Sequence, residues 1–374
     1  MSRLPSTIRR RLGLAALAAG ALALGGCAGQ GPPPNIDLGA GPARAGTVKP
    51  DALKDVAMTF TSYGGAFQTG QMQGIVKPFG KLSGARILED GPTEYAKIRA
   101  QVEADFVTWD VVDTDAVWSD GQCGKLLMPL DYSIIDASKV PEGQATRCSV
   151  PAMNYATVLT YDKTKFGGRT PQGWKDFYDV QRFPGKRAMF GGAGDAAPGD
   201  LEGALIADGV APEDLYPLDV DRALRKLDTI RKHLVFWETG ARSQQMLESG
   251  EVVMATVWSG RAYAAVKNGA KFEPVWNQFV PRREALVVPK GVRSPKASMA
   301  LINYYLGREQ QEKLTELTSY SPIHVDARPK VDRLLQSYVT TTPERQRQAI
   351  KVDSAWWAEN QPAVIEKFTA WLAG

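Results

Sequence analysis

Ala57-Met58-Thr59-Phe60-Thr61-Ser62-Tyr63-Gly64-Gly65-Ala66-Phe67, followed by Gln68 to Ser83, is the stretch that decides the fold. Apolar and β-branched residues run into two glycines. Met72, Ile75, Val76, Phe79 and Leu82 then recur at helical spacing, so the segment reads as strand, loop and helix. Glycines at the carboxyl end of a strand let a ligand approach the backbone, and the N–H groups of the following helix start are free to face it. A plain tight turn reads equally well from these residues alone. The theme repeats, however. Residues 109–113 are an apolar strand running into Thr114 and Asp115, residues 155–161 alternate as a strand, and 235–237 form a short one. Residues 252–258 end in Ser259-Gly260-Arg261 and turn helical, and 271–276 and 284–288 read as two more strands with Arg282 and Arg283 between them. Helices are expected over 93–104, 219–234 and 298–317, and Trp356-Trp357 opens a last one. This alternation predicts an α/β fold with parallel sheets and ligands beyond the strand ends. At this length more than one sheet is expected.

Composition limits the rest. The chain is 44% hydrophobic and 23% charged, ordinary for a globular protein. Arg3, Arg9, Arg10 and Arg11 precede an apolar run over 12–24, the layout of a secretory signal and too short to span a bilayer. Leu24-Gly25-Gly26-Cys27 resembles a bacterial lipobox, in which Cys27 carries the lipid; with Gly25 at its position, a plain signal peptide is the alternative. Removing residues 1–27 removes 4 arginines and leaves 41 basic against 41 acidic side chains. A neutral body without a basic stripe gives nucleic-acid binding no support. Residues 28–55, rich in Gly, Pro and Ala, read as a disordered tether.

Cys123 and Cys148 are an even pair in an exported chain and are expected to form a disulfide, whose loop of about 25 residues contributes roughly 3–4 kcal/mol. His233 and His324 make no metal-ligand spacing, and no Gly-x-Ser-x-Gly elbow is present. The Gly191 to Glu202 stretch lacks the lysine of a phosphate loop. It reads as a loop capped by Asp200, with Asp195, Asp200 and Glu202 as carboxylates for a cationic ligand. No catalytic set, metal or cofactor is indicated.

The order of these segments resembles the extracellular solute-binding proteins of ABC transporters, and more narrowly their spermidine/putrescine-binding group. The resemblance rests on Ser62-Tyr63-Gly64-Gly65-Ala66-Phe67-Gln68, Trp109 to Asp113, Leu201 to Val210, Gly250 to Met254 with Val257 to Arg261, Ala285 to Lys290, Tyr320-Ser321-Pro322 and Trp356-Trp357. It implies a periplasmic, monomeric binding protein, not an enzyme, that hands a small solute to an inner-membrane permease. It also implies a two-lobed type II periplasmic-binding-protein-like fold with a cleft between lobes joined by crossover strands. Lobe 1 would comprise 56–155 plus 285–325, and lobe 2 156–284 plus 326–374. Carried over by position, the resemblance puts Ser62, Tyr63, Gly64 and Gly65 at the first strand's end, Thr114 and Asp115 in the second loop and Trp258 at a later strand end. Glu284 stands where the group has an aspartate, and Trp357 falls at or beside a C-terminal polar contact. Two positions depart from polyamine binders: Arg282 replaces an aromatic, and Arg261 replaces a small residue. A guanidinium in the cleft repels polyamines and clamps an acid. A zwitterion is therefore the second solute class, with Arg261 at its acid end and Asp115 or Glu284 with Trp258 at its amine. The alternative pairs Arg261 with a nearby carboxylate and turns Arg282 to solvent. An exported lyase or hydrolase on a similar fold is the competing function.

Overall fold

The computed structural model describes residues 35–192 and 198–374, so the signal-like segment, Cys27 and Asp195 lie outside the described residues. The strands are β1 (Ala57–Thr61), β2 (Arg86–Asp90), β3 (Val111–Asp115), β4 (Ser149–Asp162), β5 (Arg187–Phe190), β6 (Leu234–Trp237), β7 (Met254–Trp258) and β8 (Phe272–Val287). They join in the order β2-β1-β3-β8-β4-β7-β5-β6. Parallel trios lie at the two ends, β2-β1-β3 and β7-β5-β6. Between them β4 and β8 run antiparallel to each other over nearly their full lengths. The carboxyl part of β8 pairs with β3, and the carboxyl part of β4 pairs with β7. The fold is thus the two-lobed type II arrangement. Its two α/β halves share one hydrogen-bonded ladder instead of owning separate sheets.

That ladder explains a difference from the sequence reading. Residues 271–276 and 284–288 are parts of one strand, β8, of 16 residues. Pro274, Asn277, Gln278, Pro281 and the two arginines interrupt its apolar alternation, the only cue a strand gives in sequence. The strand persists because Gln278 takes φ 58° and the pairing with β4 shifts register between Pro151 and Met153 and between Thr157 and Leu159.

Each half has its own apolar interior, and the shared strands feed both. Phe60, Phe79, Val150, Leu286, Leu301 and Tyr305 pack together in one. Leu201, Leu224, Val280 and Trp357, with Val158, Trp237 and Val257 nearby, fill the other. Burying a side chain such as Leu286, which is fully shielded, is worth about 1.5–3 kcal/mol.

Two further expectations change. The helix expected over 298–317 is two helices, Pro295–Tyr305 and Arg308–Thr318. They part at Gly307, where a Cβ would lie 2.3 Å from the Gly46 Cα. Gly46 belongs to the supposed tether, and residues 35–55 are not a free tether. Ile36 and Leu53 are buried. The Asn303 side chain donates to the carbonyls of Arg44 (2.9 Å) and Thr47 (3.0 Å), and the Ala45 N–H donates to Asp136. A Gly- and Pro-rich stretch cannot build its own element, but here partners on the body meet its backbone groups. Cys123 and Cys148 are disulfide-bonded. Among the described residues no helix is long and apolar enough to cross a membrane.

Candidate ligand-binding site

Strand carboxyl ends from both halves meet at one place. Tyr63 follows β1, Asp115 closes β3, Trp237 closes β6 and Trp258 closes β7. Together with Tyr155 from β4 and Glu284 from β8 they line a cavity with ≈ 480 Å³ of empty space, counting the part open to solvent. Trp258 sits edge-on to Tyr63 (5.8 Å between centroids), Trp237 (5.1 Å) and Tyr155 (6.4 Å). Tyr63 shares a 3.0 Å hydrogen bond with Tyr95, which stacks on Trp118 at 4.2 Å. These rings form an aromatic wall of the kind that packs a short alkyl chain or a cation.

The polar members carry opposite charges. Arg282 donates to Asp115 at 2.5 Å and to the Pro198 carbonyl at 2.7 Å, and its guanidinium lies 5.4 Å from the centre of the Tyr155 ring. Both partners of this ion pair are under one-tenth exposed. Burial pulls the Arg282 pKa down, but Asp115 and the neighbouring acids outweigh it and hold the arginine charged. Asp115 also accepts the Val117 N–H, capping the helix Ala116–Gln122. Directly across the ladder from Asp115 is Glu284. Burial, then Asp113 and Asp115, push its pKa well above the usual carboxylate range, and its Oε2 has no hydrogen-bond partner. Asp200 is pushed up to about 7 by burial, against a 2.5 Å hydrogen bond from Thr256. Asp200 does not cap its helix: Glu202 reaches back to the Gly199 N–H at 2.7 Å.

Arg261 occupies a different setting. It lies in the helix Ser259–Lys267, is 1% exposed, and donates one bond, from Nη2 to the Gly64 carbonyl at 2.9 Å. Among the described residues Nε and Nη1 are buried without partners and no salt bridge reaches it, and burial lowers its pKa. Three backbones cradle it. A Cβ on Gly65, which has φ 60°, would lie 2.8 Å from Nη1, and one on Gly240 would lie 2.5 Å from Nε and 2.9 Å from the Trp258 ring. The Gly64-Gly65 turn therefore admits a close approach, and what approaches is the guanidinium from the opposite half.

Tyr63, Asp115, Trp258 and Glu284 thus come together, with Gly64, Gly65 and Arg261 at their edge. Six expected residues do not line the cavity: Gly64, Gly65 and Arg261 meet beside the Trp258 ring, with Arg261 lining a separate pocket with Phe67, Tyr263 and Tyr320, and the other three lie further off. Ser62 is fully buried beside Asp113. The Thr114 hydroxyl donates to the Ala285 carbonyl at 3.2 Å, since alternation along β3 turns it away from the side shared by Asp113 and Asp115. Trp357 lies in the interior of the second half, its indole N–H donating to Glu202 (2.9 Å) and Tyr216 (3.1 Å). Arg282, assigned to solvent by one reading, lines the cavity. Sequence reasoning also missed Tyr95, Tyr155, Phe190 and Trp237. Trp237 was available to it, because it ends a strand just as Trp258 does.

The model of the family described as bacterial extracellular solute-binding protein matches residues 74–343. A gamma-aminobutyric acid-binding protein of Pseudomonas aeruginosa is 33% identical over 325 residues, covering 85% of this chain and 91% of that protein. Among solved structures, the Atu4243-GABA receptor is 36% identical with a TM-score of 0.75, covering 84% of this chain and 97% of the other. The binding protein AgtB from A. tumefaciens R10, in complex with agropinic acid, is 31% identical with a TM-score of 0.78, covering 86% and 99%.

Proposed function

The chain belongs to the bacterial extracellular solute-binding proteins, which serve ABC importers as periplasmic binders and not as enzymes, and from that premise we propose that its solute is a small zwitterion with one ammonium and one acid group, of the 4-aminobutyrate kind. The observation that carries this reading is a buried guanidinium and a buried carboxyl group, neither fully satisfied among the described residues, near the aromatic wall. Arg261 has two N–H-bearing nitrogens without partners, and Glu284 has an unpartnered oxygen. Arg282, by contrast, already has Asp115. In this reading Arg261 and the Gly64-Gly65 turn receive the acid, Glu284 receives the amine, and Tyr63, Tyr155 and Trp258 enclose the chain between them. A guanidinium–carboxylate contact is among the strongest available to a buried acid, and a pure polyamine would leave Arg261 unpaired and repelled. The relative that binds gamma-aminobutyric acid supports the same solute class.

We assign the lobes to 56–155 plus 285–325 and to 156–284 plus 326–374, with closure of one on the other over the solute, and the working form to a monomer. Cys27 is the proposed lipid-bearing residue. Membrane fractionation of the wild type against Cys27→Ser tests the anchor, with release of the variant expected. For the solute, a thermal-shift panel of 4-aminobutyrate, α-amino acids, putrescine and spermidine decides. At 100 times its dissociation constant a true ligand adds about 2.7 kcal/mol of stability. A shift with polyamines alone would overturn the zwitterion reading.

A further inference from the structure

Behind Glu284 lies a carboxyl group that contributes nothing to the cavity wall. Asp113 pairs across the ladder with Leu286, and Asp115 with Glu284. Residues opposite one another in an antiparallel pair project to the same side, so Asp113 and Glu284 are diagonal neighbours on one face. Asp113 is fully buried and Glu284 is 5% exposed. Gln71 donates to Asp113 at 2.5 Å and also to the Tyr305 hydroxyl at 2.9 Å, which fixes the outer side of the pair. Among the described residues Asp113 Oδ1 and Glu284 Oε2 have no partner at hydrogen-bond distance and angle, and the nearest hydroxyls are those of Ser62 at Asp113 and Tyr155 at Glu284. The other ionisable groups facing the pair are Asp115, whose charge Arg282 already neutralises, and the hydroxyls of Tyr63, Tyr155, Tyr305 and Tyr320. Among the described residues the cation acting on Glu284 is Arg282, which Asp115 already engages, and adjacent buried carboxylates do not both ionise without a further one beside them.

We propose that Asp113 is a positioning residue for solute capture: it and Glu284 hold a proton in the empty cleft, and the arriving ammonium group expels it to solvent. The inference rests on the zwitterion reading for the amine's place beside Glu284. The step balances simply. The Glu284 O–H bond breaks, the proton leaves to bulk water, and the carboxylate formed pairs with an ammonium that keeps its own protons. The ammonium supplies the cation the pair lacked, so that Asp113 and Glu284 are both ionised in the loaded site. The direction of the individual shifts agrees, with Asp113 pushed up to about 8 by burial against the bond from Gln71. Binding of the amine then tightens as pH rises until the pair has already lost its proton.

Isothermal titration of the purified protein with 4-aminobutyrate, repeated in phosphate and in Tris at pH 7, counts the protons. The expected result is release of between about one-half and one proton per solute, and affinity that rises by up to about tenfold per pH unit on the acid side. Asp113→Asn removes the like charge and is expected to move the bend of that pH profile acidward by about a unit and to lower the proton count at pH 7. A purely structural role for Asp113 would move neither. Wild-type titration without buffer dependence would overturn the inference whether or not the variant folds. If putrescine binds and 4-aminobutyrate does not, the zwitterion reading falls while the proton count with putrescine still tests this step. Binding of neither overturns both.

Discussion

Arg261 and Arg282 are both buried guanidiniums at the junction of the two halves, yet they sit in opposite circumstances. Arg282 is saturated: Asp115, the Pro198 carbonyl and the Tyr155 face surround it. Arg261 is held by glycine backbones and one carbonyl, with two nitrogens unused. A buried charge with its partner is architecture, whereas a buried charge without one is a vacancy for an anion. On the proposed reading, the contrast separates the residue that shapes the cleft from the one that reads the solute.

The contrast breaks most visibly under substitution. Arg282→Met strands the Asp115 charge and is expected to cost about 3–5 kcal/mol of unfolding free energy in denaturant titration. Asp115→Asn in the same chain should restore much of it. If Arg282→Met alone is neutral, the pair is not structural. Arg261→Met is expected to act the other way round. Stability of the empty protein stays level or rises, because an unpaired buried charge is gone. Affinity for 4-aminobutyrate falls by about ten- to a hundredfold, the equivalent of roughly 1.5–3 kcal/mol for a charge-assisted contact. Calorimetry showing unchanged affinity would remove Arg261 from the acid end.

Gly65→Ala sharpens the same point. Its φ of 60° and the 2.8 Å approach of Nη1 both resist a Cβ, so a loss of about 1–2 kcal/mol is expected, with weakened binding measured beside it. A smaller effect comes from pH. Asp110, Asp113 and Asp200 are pushed up to about 6, 8 and 7 by burial. Folded, they keep protons that the unfolded chain surrenders near 4. Their contribution is therefore complete below that pH and is lost as pH rises through about 6–8. The melting temperature of the empty protein should accordingly decline from pH 5 to 8, and a flat profile would contradict those shifts. Trp357→Phe, in the interior, should leave solute affinity unchanged.

Much of this was legible in the sequence. The strand-loop-helix units follow from periodicity, the disulfide from an even cysteine count in an exported chain, and the convergence of Tyr63, Asp115, Trp258 and Glu284 from the family resemblance. The resemblance raised Arg282 as a cleft residue, but its partner was not legible, because prolines and polar residues hide the middle of β8 and a buried ion pair leaves no local pattern. Trp357 misled for the opposite reason. A tryptophan near a polar family position is also a good core residue, and only its bonds to Glu202 and Tyr216 show which it is. The packing of residues 35–55 depends on Asn303 and Asp136, far away in sequence, and composition cannot report such partners.

That packing changes the mechanics of any membrane attachment. A leash running from Cys27 to residue 55 would let the body roam nearly 100 Å from the lipid surface, at about 3.5 Å per residue. With Ile36 buried and the following backbone fastened to Asn303 and Asp136, residues 36–55 add nothing to that reach. On the proposed anchoring, the reach available to a lipid-bound Cys27 is therefore set by the residues before Ile36, and the Gly- and Pro-rich stretch after it serves as part of the wall of the half that carries Asn303.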